Sequence, residues 1–151
     1  MPLCYRLFRG KYSPADATGA HLAGGRWNEK GVPMLYASST LSLACLEILV
    51  HIKEPRLPTD YAWVRVDIPA GQMDEPSLGA DWSDETACRR LGSEWVRRAR
   101  RPAVEVPSAI VPIETNVLLN PEHPAFSQIR FSPATPFRFD SRLLKLGPAP
   151  M

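Results

Sequence analysis

A chain of 151 residues that is 44% apolar and 23% charged, with a net charge of +2, has the balance of one globular domain spanning 1–151. The charge is too small to argue for direct nucleic-acid binding, and the apolar runs are far short of a membrane span. Cys4, Cys45 and Cys88 are odd in number and widely spaced, which argues against a disulfide framework and a zinc site, so no metal is expected. The first residues, Met-Pro-Leu-Cys-Tyr-Arg-Leu-Phe-Arg, lack the apolar core of a signal peptide, and a reduced, cytoplasmic setting is expected. Tyr5 to Phe8 alternates and reads as a strand, Lys11 to Asn28 as a loop, and Pro33 to Ser38 as a second strand. Leu41 to Lys53 reads as a helix capped by Ser39 or Thr40. Tyr61 to Ile68 is a strand and Asp84 to Arg100 a second helix. Most of the 16 prolines follow Arg101, so the remainder should be short strands (Ala103–Val106, Ala109–Ile113, Asn116–Leu119 and Phe137–Phe139) and ordered loops. This order is α+β, without regular βαβ alternation.

On a helical wheel, Leu41, Cys45, Ile48 and Ile52 make one apolar face of the first helix, and Leu43, Ala44, Leu46, Leu49 and Val50 extend it nearly all round. A helix apolar on almost every side is expected to be buried, with Ser42 and Lys53 on its solvent stripe. Glu47 and His51 lie one turn apart on roughly the opposite side, so Glu47 points into the domain. A carboxylate so placed must be paired, protonated or facing a cleft. A structural pair with His51 or an arginine and a functional carboxylate both satisfy that requirement.

Gly24-Gly25-Arg26-Trp27-Asn28 precedes a strand. Paired glycines permit positive φ and close approach of a ligand to the main chain, and Arg26 offers a planar fork of donors suited to phosphate. A plain turn with a surface arginine fits the same residues. Ser108 stands between apolar residues in Val106-Pro107-Ser108-Ala109-Ile110-Val111-Pro112, either held for a ligand or bonding its own backbone. Without a Gly-x-Ser-x-Gly elbow, it is not read as a hydrolase nucleophile. Asn116 to Pro124 is a strand end and a tight turn. The basic residues Arg97, Arg98, Arg100 and Arg101 end a helix that begins with Asp84 and Glu85, which is the order the helix dipole favours.

Taken in order, Tyr-Arg-Leu, Gly-Gly-Arg-Trp-Asn, Leu-Tyr-Ala-Ser, Leu-Ala-Cys-Leu-Glu-Ile-Leu-Val-His, Val-Pro-Ser-Ala and Glu-Thr-Asn-Val-Leu-Leu-Asn-Pro-Glu-His-Pro resemble the RES-domain family over nearly the whole chain. The closing Phe137 to Leu143 fits as well; Cys88 to Gly92 departs, standing where a Thr-Gln-like pair before the glycine is expected. The resemblance implies a single compact domain like the ADP-ribosyltransferases, with mixed strands around a split cleft and flanking helices. It implies the toxin of a bacterial toxin–antitoxin pair that depletes NAD by hydrolysis or phosphorolysis. Its partner would be an Xre-type helix-turn-helix antitoxin covering the active site, with room for a homodimer within that complex. Carried over residue by residue, Arg26, Glu47 and Ser108 are the catalytic candidates, Arg6 and Tyr36 belong to the substrate pocket, and Asn116 is a looser match.

These residue types suit the chemistry. Cleavage of the nicotinamide–ribose bond makes an oxocarbenium-like ribose, which a carboxylate such as Glu47 stabilises in a dry site. Arg26 and Arg6 would hold the pyrophosphate, with Arg9 a further candidate on the rim, and Tyr36 would stack on nicotinamide. Ser108 would bond to ribose or orient Glu47. NAD is then a substrate and no cofactor is required; without Gly-x-Gly-x-x-Gly, redox use of NAD is not expected. Two alternatives stand beside this reading: ADP-ribosyl transfer to a protein, and a non-catalytic binding module in which Glu47 is a core ion pair.

Overall fold

The computed structural model describes residues 3–52, 55–74 and 83–146. In chain order the elements are β1 (Leu3–Arg9), α1 (Thr18–Ala23), β2 (Leu35–Ser38), α2 (Leu41–Leu49), β3 (Tyr61–Asp67), β4 (Met73–Asp74), α3 (Glu85–Arg98), β5 (Ala103–Pro107), β6 (Thr115–Leu119), β7 (Arg130–Phe131) and β8 (Thr135–Phe137). Short 3-10 turns lie at Phe126–Gln128 and Ser141–Leu146. The strands form one sheet in the order β4-β5-β6-β2-β1-β3-β7, with β8 also on β3. Among the described residues only β4 and β5 run parallel; the expected α+β class is found.

Unequal pairing splits this sheet. β1 and β3 pair along their length, from Leu3 opposite Asp67 to Arg9 opposite Tyr61, and β5 pairs with β6 from Ala103–Leu119 to Pro107–Thr115. Between these halves, β1 and β2 meet at one register pair, Tyr5 with Ser38. The sheet therefore opens along the β1–β2 seam.

Alternation sends Cys4, Phe8, Leu35, Ala37, Val64, Val66, Val117 and Leu119 to one face, where they pack with Ile129, Phe126 and Phe131. The other face is covered twice. Over β5 and β6, α3 sets Cys88, Trp95 and Val96 against Val104, Val106 and Leu118, together with Trp27 and Met34. Over β1 and β3, α2 sets Ala44, Cys45 and Ile48 near Leu7, Tyr61, Trp63 and Phe139. Each large side chain fully buried in such clusters stabilises the fold by about 1.5–3 kcal/mol. The two helices leave a gap above β2.

Several expectations need correction. The Lys11–Asn28 loop contains α1, a six-residue helix without a side-chain cap. The first long helix ends at Leu49 and is less buried than its apolar sequence implies: only Leu43 and Ala44 are buried, while Leu46 is 39% and Val50 57% exposed. Lys53 lies outside the described residues. Thr40, not Ser39, caps this helix, its Oγ1 accepting from Leu43 N–H at 3.1 Å. Ala109–Ile113 is a turn rather than a strand, with Glu114 N–H bonded to Val111 C=O and Ile113 94% exposed. The two-residue strands β4 and β7 were too short to carry a readable period. Among the described residues, no helix is long and apolar enough to cross a membrane.

Candidate active site

The gap above β2 is a cleft of about 880 Å³, within the range of roughly 300–1,000 Å³ usual for small-molecule sites. β1 supplies Arg6 and Leu7, β2 supplies Tyr36 and Ser38, α2 supplies Glu47, and the turn after α2 supplies His51 to its walls. The Gly24–Trp27 loop and Arg89 of α3 close the other side.

Glu47 is half-buried and projects from α2 across the seam toward the β6 half. Its Oε2 accepts two hydrogen bonds, from Ser108 Oγ at 2.9 Å and from Asn116 Nδ2 at 2.6 Å. Neither His51 nor an arginine is within ion-pair distance of it among the described residues, which removes the core ion pair as the explanation of this carboxylate. Ser108 itself is 1% exposed and stands behind Glu47. Its Oγ also accepts from Ile110 N–H and Val111 N–H, both at 3.1 Å, so it bonds its own backbone and orients the carboxylate at once. Asn116 is held in turn by Ser38, whose Oγ donates to Asn116 Oδ1 at 2.7 Å. His51 is exposed at the mouth of the cleft.

The opposite wall is main chain. Gly24 adopts φ 76°, and Gly25 N–H bonds Asn28 C=O at 2.9 Å. A side chain on Gly25 would bring Cβ to 2.7 Å from the Tyr36 hydroxyl and 2.8 Å from Asn28 Oδ1, so glycine is required there by space. Asn28 is fully buried; its Nδ2 donates to Ala20 and Val32 carbonyls, both at 2.9 Å, and its Oδ1 accepts from the Tyr36 hydroxyl. That hydroxyl also accepts from Trp27 N–H at 3.1 Å. Burial pushes the Tyr36 phenol above its ordinary range, which keeps its proton in place for Asn28. The Tyr36 ring is thereby fixed by its far end while lining the cleft. Arg26 lines the same wall.

Arg6 lies at the seam, its guanidinium bonded to three main-chain carbonyls: Pro14 at 2.7 Å, Tyr36 at 3.1 Å and Asp16 at 3.4 Å. Burial lowers its pKa to about 10, partly opposed by Asp16, so it stays charged at neutral pH. It props the 14–16 loop against β2 as well as facing the cleft. Arg9 is not among the lining residues; it pairs with Asp60 at 3.1 Å and lies over the Tyr61 ring.

The RES domain family matches residues 3–140. A protein of Photorhabdus laumondii named Toxin Res is 42% identical over 152 residues, covering 95% of this chain and 97% of that protein. The Prs ADP-ribosylating toxin of a Sphingobium strain is 38% identical over 139 residues, covering 86% of each chain. The chain belongs to the RES-domain family. The crystal structure of the M. tuberculosis MbcT–MbcA toxin–antitoxin complex contains a chain of the same fold, with a TM-score of 0.68 at 16% identity over 95% of this chain and 86% of that one.

Within this RES domain, sequence reasoning brought Arg6, Arg26, Tyr36, Glu47, Ser108 and Asn116 to notice, and the structure gathers all six around one cleft. It overlooked four others. Ser38 had a usable signal, since alternation puts it on the face of Tyr36. Arg89 donates to Gly25 C=O at 3.2 Å and pairs with Glu85 at 3.0 Å. Gly92, which ends the segment that departs from the family pattern, and Ser93 after it hold the loop from below: Ser93 Oγ accepts from Glu29 N–H at 2.9 Å, and a Cβ on Gly92 would fall 1.8 Å from Trp27 O. Nothing in sequence alone marks contacts 64 residues apart such as Glu29–Ser93.

Proposed function

We propose that this chain is the toxin of a bacterial toxin–antitoxin pair and that, acting as one NAD-binding domain, it cleaves the nicotinamide–ribose bond of NAD. One observation carries the reading. Glu47 has both donors on Oε2, and no protein group among the described residues is bonded to Oε1, so one carboxylate oxygen is held and the other is left to the cleft. An ionised group anchored in this way is preorganised for a positive charge developing on a substrate.

In this mechanism, Tyr36 receives the nicotinamide ring on its face. Arg26, with Arg89 and Lys30 beside it, receives the pyrophosphate. The C1′–nitrogen bond breaks, its electron pair leaves with nicotinamide, and Glu47 stabilises the cationic ribose through Oε1 and the ribose hydroxyls. Water then bonds to C1′ and releases one proton to solvent, or an anionic oxygen of inorganic phosphate bonds to C1′ in its place. NAD is consumed, and no resident cofactor takes part. An antitoxin partner is part of the proposal, supported by the antitoxin complex of the structural neighbour, and its Xre helix-turn-helix type is proposed from the family resemblance.

ADP-ribosyl transfer to a protein is the second reading, favoured by the relative named Prs ADP-ribosylating toxin. The test is to incubate purified protein with NAD and measure free nicotinamide, alone, with phosphate, and with cell extract. Nicotinamide release without extract supports NAD cleavage, and release that needs extract supports transfer. No release under any condition, with NAD still bound, would turn the proposal into a binding module.

A further inference from the structure

Ser38 sits at the seam, 3% exposed, and its hydroxyl is committed to Asn116. The sheet enforces this contact. Ser38 and Asn116 are direct cross-strand partners of β2 and β6, so their side chains leave the same face side by side. We propose that Ser38 is a positioning residue for Glu47, acting through the Asn116 amide that it holds in one orientation.

The argument is one of donors and acceptors. An asparagine amide has an N–H₂ end and an oxygen end of nearly the same shape, and only the N–H₂ end can bond to an ionised carboxylate. Ser108 and Asn116 both donate to Oε2. Ser38 donates to the other end of the amide, so hydroxyl, amide and carboxylate form a chain whose donors all run toward Glu47. Such a chain polarises in one direction, so each of its hydrogen bonds strengthens the next. If the hydroxyl is removed, Asn116 Oδ1 loses its donor and the amide is free to swing away from Oε2. The carboxylate then keeps only the Ser108 anchor, and the direction of Oε1 loosens. The register pair Tyr5–Ser38 is where the two half-sheets touch, so the alignment of Glu47 is referenced to the joint between them.

The experiment compares Ser38→Ala, Ser38→Thr and Ser38→Val with the wild-type protein. Thr and Val have nearly the same shape and differ in the hydroxyl, so this pair decides the matter even if Ser38→Ala does not fold. The first measurement is the side-chain amide signal of Asn116 in nitrogen–proton NMR, assigned by its loss in Asn116→Ser. The wild type and Thr should show one strongly bonded, slowly exchanging amide proton; Val and Ala should show a signal near that of a solvated asparagine. This measurement needs no activity and does not depend on the NAD reading. The second is NAD cleavage, which rests on that reading: Val and Ala should lower kcat by about tenfold with KM unchanged, and Thr should restore it. An Asn116 amide signal in Val identical to that of the wild type would overturn the proposal. So would a rise in KM at unchanged kcat, which would make Ser38 a substrate contact. A wild type that releases no nicotinamide while the amide signal still follows the hydroxyl would remove the NAD reading and leave the positioning role standing.

Discussion

On the Arg26 side of the cleft, main chain is wedged beneath a fourteen-residue helix, whereas on the Glu47 side a nine-residue helix leans over the seam of a split sheet. The first wall is fixed by contacts too close for a side chain, at Gly25 and Gly92, and by the buried amide of Asn28. The second has two buried side chains, Leu43 and Ala44, and reaches the opposite half-sheet through hydrogen bonds accepted by Glu47 itself. A wall made of backbone carries Arg26 on a loop whose Gly24, Gly25 and Trp27 N–H groups are bonded within the protein, so the place of the cation is set by packing, which suits a substrate phosphate. A carboxylate held through side chains can be aimed at a reacting atom, but its aim depends on few bonds. The chemistry of this site should therefore be most sensitive on the α2 side and its stability most sensitive on the loop side.

The largest effect tests the first half of that contrast. Glu47→Gln conserves volume and keeps one oxygen to accept from Ser108 and Asn116, so the melting temperature should hardly move. NAD cleavage should fall by about 10²–10⁴-fold, the range for removing an electrostatic or acid–base group. Turnover at the wild-type rate would exclude Glu47 from the chemistry. The same variant should also end the growth arrest and NAD loss expected when the wild type is expressed alone in bacteria.

Gly92→Ala tests the second half. Its Cβ would stand 1.8 Å from Trp27 O and 2.9 Å from Trp27 Cβ, and Trp27 is buried. Helix or loop must move, at a cost of about 3 kcal/mol, the upper end of ordinary overpacking. Melting should drop by roughly 6–12 °C for a domain of this size. Gly19→Ala is the control, since nothing lies within 4 Å of its added carbon. Equal melting temperatures for the two variants would mean that the loop is not wedged.

How much of this was legible in the sequence follows the same division. Period-two alternation marked β1 and β3, and Thr40 and Asp84 marked the starts of α2 and α3. The wheel aimed Glu47 at the interior, yet it overstated the burial of its helix, because the seam that leaves Val50 exposed is a property of strand pairing and not of local pattern. Ile110, Val111 and Ile113 imitated a strand by composition, while Ser108 Oγ bends them into a turn by accepting two backbone N–H groups. The Gly-Gly-Arg motif announced a loop, but the residues that fix it, Gly92, Ser93 and Tyr36, reach it through the fold.

Tyr36→Phe sharpens the contrast at smaller scale. The change withdraws a hydroxyl from Asn28 Oδ1 and from Trp27 N–H, in a buried setting, at a cost of about 1–3 kcal/mol. The ring that would meet nicotinamide stays. Thermal stability should fall, and KM for NAD should rise as the Arg26 loop loosens, with kcat little changed. A variant as stable as the wild type would show that the hydroxyl is not what holds the loop.

The two helix caps give the smallest and most discriminating comparison. Thr40 Oγ1 accepts from Leu43 N–H and Asp84 Oδ1 from Ala87 N–H, both at 3.1 Å, so Thr40→Ala and Asp84→Ala remove equivalent bonds. Each should cost about 1 kcal/mol in stability. Their effects on catalysis should differ, because of what lies beyond the first turn. α3 runs from its cap to Arg98 and grips the loop at Gly92 and Ser93, well past any fraying. α2 is short, and Glu47 lies in its second turn, so fraying at Thr40 reaches the carboxylate. A displacement of a fraction of an ångström there should lower kcat by roughly 3–10-fold, given how steeply rate depends on the placement of reacting groups. Asp84→Ala should keep kcat within about twofold of wild type and act on KM instead, since its fraying reaches Arg89, which bonds Gly25 C=O, while Gly92 and Ser93 still hold the loop. Measured side by side at a temperature where both variants are folded, equal losses of kcat would show that the two walls are equally firm, and the distinction between a backbone wall and a side-chain wall would have to be abandoned.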